Sequence, residues 1–309
     1  MSLRSRKFFD VLQHHPSSIL NSSRFRLPCP PYHTPDYWDR LYKDMDSEDT
    51  HEWFGFDLQT GLLNFQYERL FHYKDGSVRD IDKEEVHSTT FAECMNIDQL
   101  STPEEAIEVY KENQNNNINK SILLLGCGNS KFGEQLMINS FVGPVIQLDI
   151  SSKMIQLMTQ RYQKYLDEAS VIRMDFIVDD AKGLTSLSPD SIGGGVVDKG
   201  LIDTLHCSTG MIDDTDVTNP IRQVFDSAHK VLQPSRPFIF FSRSEPEYVF
   251  RRVLGTDTDQ LTFDFEIQTK WQDIQVLKLQ ELNILLYRFT KAETRKSKKR
   301  RRHKLEYFN

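Results

Sequence analysis

Ile122-Leu-Leu-Leu125 runs directly into Gly126-Cys-Gly128-Asn-Ser-Lys131, and this junction restricts the fold more tightly than any other stretch of the sequence. An unbroken apolar run of this length reads as a strand buried on both faces. The GxG turn behind it, followed by a helical pattern over Lys131 to Asn139, puts two residues without a Cβ where a ligand can approach the backbone. A GxG turn alone is a weak signal. It gains weight from Pro144-Val-Ile-Gln-Leu-Asp149, a second strand that ends in a carboxylate 21 residues after Gly128, the position that binds ribose hydroxyls in nucleoside sites.

The pattern continues as alternating short apolar runs and helical spacings. Val171 to Val178, Gly195 to Asp198 and Pro237 to Ser242 read as further strands, and Lys153 to Glu168 and Asn219 to Leu232 as helices. Met154, Leu157, Met158, Tyr162 and Tyr165 share one face of the longer helix. Alternation of this kind specifies a doubly wound α/β domain with a mainly parallel sheet. The end differs, because Trp271 to Leu279 and Leu282 to Thr290 are separated by Gln280 and Glu281 alone, too close for a crossover helix, and are expected to form an antiparallel hairpin.

The boundaries follow from composition. A flexible basic tail is expected over residues 1–31, the α/β domain over 32–292, and a basic tail over 293–309. Within the domain, 57–120 reads as a polar insertion, with an Asn-rich surface connection at Lys111 to Lys120 and a helix starting at Ser101 or Thr102. Lys291 to Lys304 holds nine Lys or Arg against Glu293; removing that +8 from the net −7 leaves an acidic body of −15. A nucleic-acid contact is therefore expected only through the tail, whose run Lys298 to Arg302 also has the form of a nuclear address. Met1 to Pro35 has five Lys or Arg, one acid and six serines, a composition that mitochondrial transit peptides share, so the two ends point to cytoplasm or nucleus on one side and mitochondrion on the other. No window approaches the roughly 20 apolar residues of a membrane span. The four cysteines have no CxxC pairing and the histidines no HxH or HExxH spacing, so no metal site is expected.

The choice of cofactor turns on what is missing. A dinucleotide fingerprint needs a third glycine where Lys131 stands, and no GK[ST] follows a glycine at P-loop spacing. S-adenosyl-L-methionine, an adenosine without phosphates, needs only the two glycines and the acid. Asp179-Asp180-Ala181 after the third strand and Val197-Asp198-Lys199-Gly200 after the fourth complete an order that suits it. Cys127, inside the turn, reads as a small filler.

Leu125-Gly-Cys-Gly-Asn-Ser130, Leu148-Asp-Ile-Ser151 and Asp198-Lys-Gly-Leu-Ile-Asp203 resemble the class I methyltransferase-like lysine methyltransferases that act on elongation factor 1-alpha and on citrate synthase. Asp36-Tyr-Trp-Asp-Arg-Leu-Tyr42 and His51-Glu-Trp-Phe-Gly55 are similar to that family's N-terminal signatures, and Phe241-Ser-Arg-Ser-Glu-Pro-Glu247 to its citrate synthase branch. The resemblance spans Tyr32 to Ala292 with interruptions. It implies a Rossmann-like, seven-stranded sheet whose last strand is antiparallel. It also implies that Gly126 and Gly128 pass under the cofactor, Asp149 holds the ribose, Asp180 and Ala181 meet the adenine and Asp198 lies near the methionine end, with Cys127 and Ile150 also at the cofactor. Trp38, Trp53 and Lys199 would belong to the substrate pocket. Leu201 departs from the family's usual Thr, Gly193-Gly-Gly195 replaces an aromatic-led strand, and 57–120 is longer than the usual connection.

The activity so implied is methyl transfer to a lysine of a protein substrate, with Asp203 as the candidate residue orienting the amine. A small-molecule methyltransferase and a non-catalytic cofactor-binding adaptor are the alternatives, because the cofactor half of the sequence says nothing of the acceptor.

Overall fold

A computed structural model of the chain describes residues 30–52, 65–75, 77–79, 85–96, 105, 108–109, 111–113, 119–138, 143–167, 174–208, 219–250, 269–280, 282 and 284–293. In chain order the elements are α1 (Pro35–Leu41), β1 (Phe65–Lys74), β2 (Ser77–Val78), β3 (Val86–Thr89), α2 (Phe91–Met95), β4 (Ile122–Leu125), α3 (Phe132–Ile138), β5 (Val145–Asp149) and α4 (Ser152–Asp167). They continue as β6 (Met174–Val178), β7 (Gly195–Lys199), α5 (Leu201–Ser208), α6 (Pro220–Val231), β8 (Pro237–Ser242), α7 (Pro246–Val249), β9 (Trp271–Leu279) and β10 (Ile284–Lys291).

One sheet runs in the order β2-β1-β9-β10-β8-β7-β4-β5-β6, with β3 also paired to β1. β8, β7, β4, β5 and β6 are parallel neighbours. β10 lies antiparallel between β8 and β9, which makes β9 run with the parallel set and confirms the expected hairpin. The order reverses at β4, where β5 lies on one side and β7 on the other, and such a switch point opens a crevice beyond the carboxyl ends of the strands.

Side chains alternate across the sheet into two apolar layers. Leu123, Leu125, Val196, Phe238 and Phe240 face α5 and α6, while Ile122, Leu124, Val197, Ile239 and Phe241 face α2 and α3. The segment read as a polar insertion contributes to both: Phe71 and Tyr73 of β1 join the first layer, and Phe65, Tyr67, Phe91 and Met95 the second. The sheet is thus extended beyond seven strands by β1, β2 and β3. The reading of 57–120 as polar surface missed this because β1 places Gln66, Glu68, His72 and Lys74 between its apolar residues, and a register shift between Arg69 and Phe71 breaks the period-two pattern. A capping box, Thr90 with Glu93, starts α2. The expected helix start at Ser101 or Thr102, the Asn-rich residues 114–118, and most of both basic tails lie outside the described residues.

Gly193 and Gly194, the two glycines leading into β7, have a steric reason. A Cβ on Gly193 would sit 2.0 Å from the Asn119 carbonyl oxygen and one on Gly194 2.4 Å from that of Lys120. The segments leading into β4 and β7 lie side by side too closely for side chains at these two glycines, and Gly194 donates its N–H to the Ser121 carbonyl at 2.8 Å.

Candidate functional site

Gly126 and Gly128 both adopt the left-handed region, φ +56° and +50°, which lets the chain turn sharply between β4 and α3. The Cys127 N–H between them donates to the Leu148 carbonyl at 2.9 Å, while its side chain is buried. At the end of β5, the Asp149 carboxylate accepts the Gly128 N–H and the Ser151 N–H, each at 2.9 Å. Burial pushes this carboxyl up to about 6; the backbone N–H groups of Ser151 and Gly128 hold it from rising further, and the charge of Asp39 adds to the rise. These bonds leave lone-pair capacity on both oxygens for hydroxyl donors.

A cavity opens in front of this carboxylate, at the switch point of the sheet. Its floor is Gly126, Gly128, Leu148, Asp149 and Ile150. One side is the loop after β6, with Asp180, Ala181 and Lys182, and the other is the turn after β7, with Lys199, Gly200 and Leu201, continued by Thr204 and Leu205 of α5. Tyr32, His33, Trp38 and Tyr42 close it from the N-terminal segment. The floor and the loop after β6 could hold an adenosine: backbone close under the ligand, a carboxylate for vicinal hydroxyls, and an apolar residue with a polar partner for the base.

The sequence-predicted residues divide in the structure. Gly126, Gly128, Asp149, Ile150, Asp180, Ala181, Lys199 and Trp38 meet on the cavity. Of the adjacent acids, Asp179 is occupied by its own loop, accepting the N–H groups of Asp180 and Ser186 at 2.7 Å, which leaves Asp180 on the wall. Asp198 does not reach the cavity. It is fully buried, and its two oxygens cap α5 by accepting the Leu201 and Ile202 N–H groups at 2.6 and 2.9 Å; burial pushes its carboxyl up to about 7. Asp203 is likewise turned away: one oxygen accepts the Ser242 hydroxyl and the other the Arg243 N–H at 3.0 Å, so it ties α5 to the end of β8 instead of facing the cavity. Leu201, where the resemblance has Thr, packs over the first glycine, whose Cβ would lie 3.2 Å from that of Leu201. Trp53 lies outside the described residues.

Sequence reasoning missed most of the N-terminal contribution. Tyr32, Trp38 and Tyr42 form a stack with ring centroids 5.6 and 5.7 Å apart, and the Trp38 indole N–H donates to the Tyr32 carbonyl at 2.7 Å. The spacing of Trp38 and Tyr42 on one helical face was the available signal. Arg161 of α4 gathers the carbonyls of Ser47, Asp49 and Asn129. Glu52 pairs with Lys199, whose side chain is 9% exposed, and burial lowers the Lys199 pKa while Glu52 opposes that shift. Among the described residues no group of three His, Cys, Asp or Glu side chains is placed to hold a metal ion, and no helix is long and apolar enough to cross a membrane.

No protein-family model and no curated protein sequence matches the chain. Solved structures do. One described as an S-adenosylmethionine-dependent methyltransferase from Methanosarcina mazei has TM-score 0.38 at 14% identity, over 57% of this chain and 94% of that one. A structure concerned with conversion of a disulfide bond into a thioacetal group during echinomycin biosynthesis has TM-score 0.36 at 16% identity, over 64% and 87%. Phosphoethanolamine N-methyltransferase 2 of Haemonchus contortus, solved with phosphomonomethylethanolamine and S-adenosylhomocysteine, has TM-score 0.37 at 16% identity, over 57% of this chain and 49% of that one. The fold class, a doubly wound and mainly parallel α/β sheet, rests on the strand order and directions given above.

Proposed function

We propose that the chain is an S-adenosyl-L-methionine-dependent methyltransferase whose acceptor is a lysine side chain of a protein. The observation that supports the cofactor most directly is the buried Asp149 carboxylate, bonded to the Gly128 N–H and facing the same cavity as the glycine turn. Gly126 and Gly128 would pass beneath the cofactor, Asp149 would take the ribose hydroxyls, and Ile150, Asp180 and Ala181 would meet the adenine. When bound, the cofactor supplies a methyl group already activated on a sulfonium. The chain's own part would be to align the acceptor and exclude water, a role supported by Tyr32, Trp38 and Tyr42 lining the cavity. A lysine with its usual pKa of about 10.4 must lose a proton first, at a cost of roughly 4 to 5 kcal/mol near pH 7, and burial next to positive charge lowers that cost. No dedicated base is then required, in keeping with Asp203 being engaged by Ser242 and Arg243.

The acceptor class rests on the resemblance together with the acidic body. A small-molecule acceptor is the second reading, favoured by the way the N-terminal segment covers the cavity. Incubation with cofactor carrying a radiolabelled methyl group in a whole-cell lysate separates the two. Label on a lysine of a protein band is expected; label confined to the small-molecule fraction selects the second reading, and no label at all removes the activity.

A further inference from the structure

Besides the bonds that Arg161 and Asn129 make to its Ser47 and Asp49 carbonyls, the segment 30–52 meets the domain through two carboxylates that touch the turns on either side of the cavity floor. Glu52 accepts the Ser130 hydroxyl through both oxygens, at 3.0 and 2.8 Å, and the Lys131 N–H at 2.7 Å, immediately after the glycine turn; its other partner is the Lys199 ammonium, which also lies 3.0 Å from the Ser130 Oγ. Asp39 does the same at the second turn. It accepts the hydroxyls of Ser151 and Ser152 and the Lys153 N–H at 3.2 Å, just after Asp149. In each case the serine hydroxyl that donates to the segment's carboxylate also accepts a helix N–H, Phe132 from Ser130 at 3.0 Å and Met154 from Ser151 at 3.1 Å. The N-terminal segment is therefore wired into the caps of α3 and α4, and neither Asp39 nor Glu52 lines the cavity.

We infer that Glu52 and Asp39 are positioning residues for the cofactor: as one body with the segment they carry, they hold the Gly126–Ser130 and Asp149–Ser151 turns in the geometry that binds it. The inference rests on the cofactor reading above. Charge makes the coupling strong, because Glu52 bonds at once to a hydroxyl, a backbone N–H and a nearly buried ammonium. The segment is held at both turns, and its Tyr32, Trp38 and Tyr42 rings line the cavity.

The test is calorimetric titration of the full chain with S-adenosyl-L-homocysteine, which binds without reacting. Glu52→Gln is expected to weaken affinity about tenfold or more and Asp39→Asn about threefold or more, although neither side chain reaches the ligand. The double variant is expected to lose less than the product of the single losses, since both carboxylates act through the one segment they share. Limited proteolysis gives a second readout: the ligand should slow cleavage within 30–52 of the unmutated chain but not of Glu52→Gln. Unchanged affinity in Glu52→Gln, or losses that simply multiply, would overturn the positioning role. If Glu52→Gln fails to fold, Asp39→Asn and its proteolysis decide the matter alone. Failure of the unmutated chain to bind S-adenosyl-L-homocysteine would instead overturn the cofactor reading beneath it.

Discussion

The Asp149 carboxylate accepts the backbone N–H of Gly128 at 2.9 Å, so the end of the second parallel strand is bonded to the turn that closes the first. One side chain thereby shapes the floor of the cavity and offers itself to whatever binds there. Replacing it with Asn keeps an oxygen for the Gly128 N–H but removes the charge that would strengthen bonds from ribose hydroxyls. Asp149→Asn is expected to weaken S-adenosyl-L-methionine binding by about 1.5 to 3 kcal/mol, measured by calorimetry, with the fold intact. Tight binding of NAD by the unmutated chain, or undiminished S-adenosyl-L-methionine affinity in the variant, would refute the assignment of Asp149 to a methionine-linked adenosine.

The same residue should make the stability of the fold depend on pH. Its carboxyl titrates at about 6 in the fold against about 3.9 in an unfolded chain, so between these values the folded state binds more protons and stability falls as pH rises. Above that window the full penalty is present, on the order of 2 to 3 kcal/mol. Asn offers one acceptor oxygen to the two N–H groups, so the variant carries a fixed loss, and the pH dependence is the readout: the unfolding midpoint of Asp149→Asn relative to the unmutated protein is expected to rise from about pH 4 to about pH 6.5. A constant offset across the range would show that the buried charge carries no such cost.

Cofactor binding should respond to pH in the opposite sense. Ribose hydroxyls donate to the ionised carboxylate, so a proton on Asp149 competes with the ligand. Affinity is expected to hold from pH 8 to about 6.5 and then to fall with acidification, approaching about tenfold per pH unit below the titration point, with proton release on binding in that window. Calorimetry in buffers of different ionisation enthalpy measures both quantities. A flat profile down to pH 5 would contradict it.

How far the sequence could be read depended on whether a residue's partner lay nearby in the pattern. β4, the glycine turn, β5 and Asp149 were legible because they follow one another and each has its own signature. The hairpin of β9 and β10 was legible because only a short turn separates the strands. β1 was not: its apolar residues become a stripe only when paired with β9 and β3, and a register shift hides the period. Asp198 and Asp203 sit in a motif that resembles a binding site, yet their oxygens are taken by α5 and by the end of β8. Nothing in residue type distinguishes a carboxylate that caps a helix from one that meets a ligand; the distinction lies in which N–H groups the backbone aims at it. Asp39 and Glu52 were invisible for the converse reason, since their partners lie more than 70 residues away.

Gly194 offers a test of packing independent of function. A Cβ there would lie 2.4 Å from the Lys120 carbonyl oxygen and 2.7 Å from that of Ser121, both backbone atoms that cannot turn aside. Gly194→Ala must push β7 away from the segment leading into β4, and is expected to lower stability by about 2 to 4 kcal/mol in denaturant titration. A loss below about 0.5 kcal/mol would mean that the entry segments separate freely.

The acceptor reading leads to a salt effect. Without residues 291–304 the body carries −15, and such a surface draws a lysine-rich protein segment toward the domain through long-range attraction. Screening shortens that reach to about 8 Å at physiological ionic strength, whereas S-adenosyl-L-methionine, with little net charge, is held mainly by contacts that salt does not screen. Raising sodium chloride should therefore slow methylation of the labelled lysate protein several-fold while cofactor affinity changes by less than about twofold. Initial rates and calorimetry in matched buffers make the comparison, first on the full chain, because the eight Lys and Arg residues of its tail oppose the same attraction. Deleting 294–309 should raise the rate at low salt and leave it unchanged at high salt. Equal salt sensitivity of rate and cofactor affinity would argue for an uncharged small-molecule acceptor and against a basic protein surface.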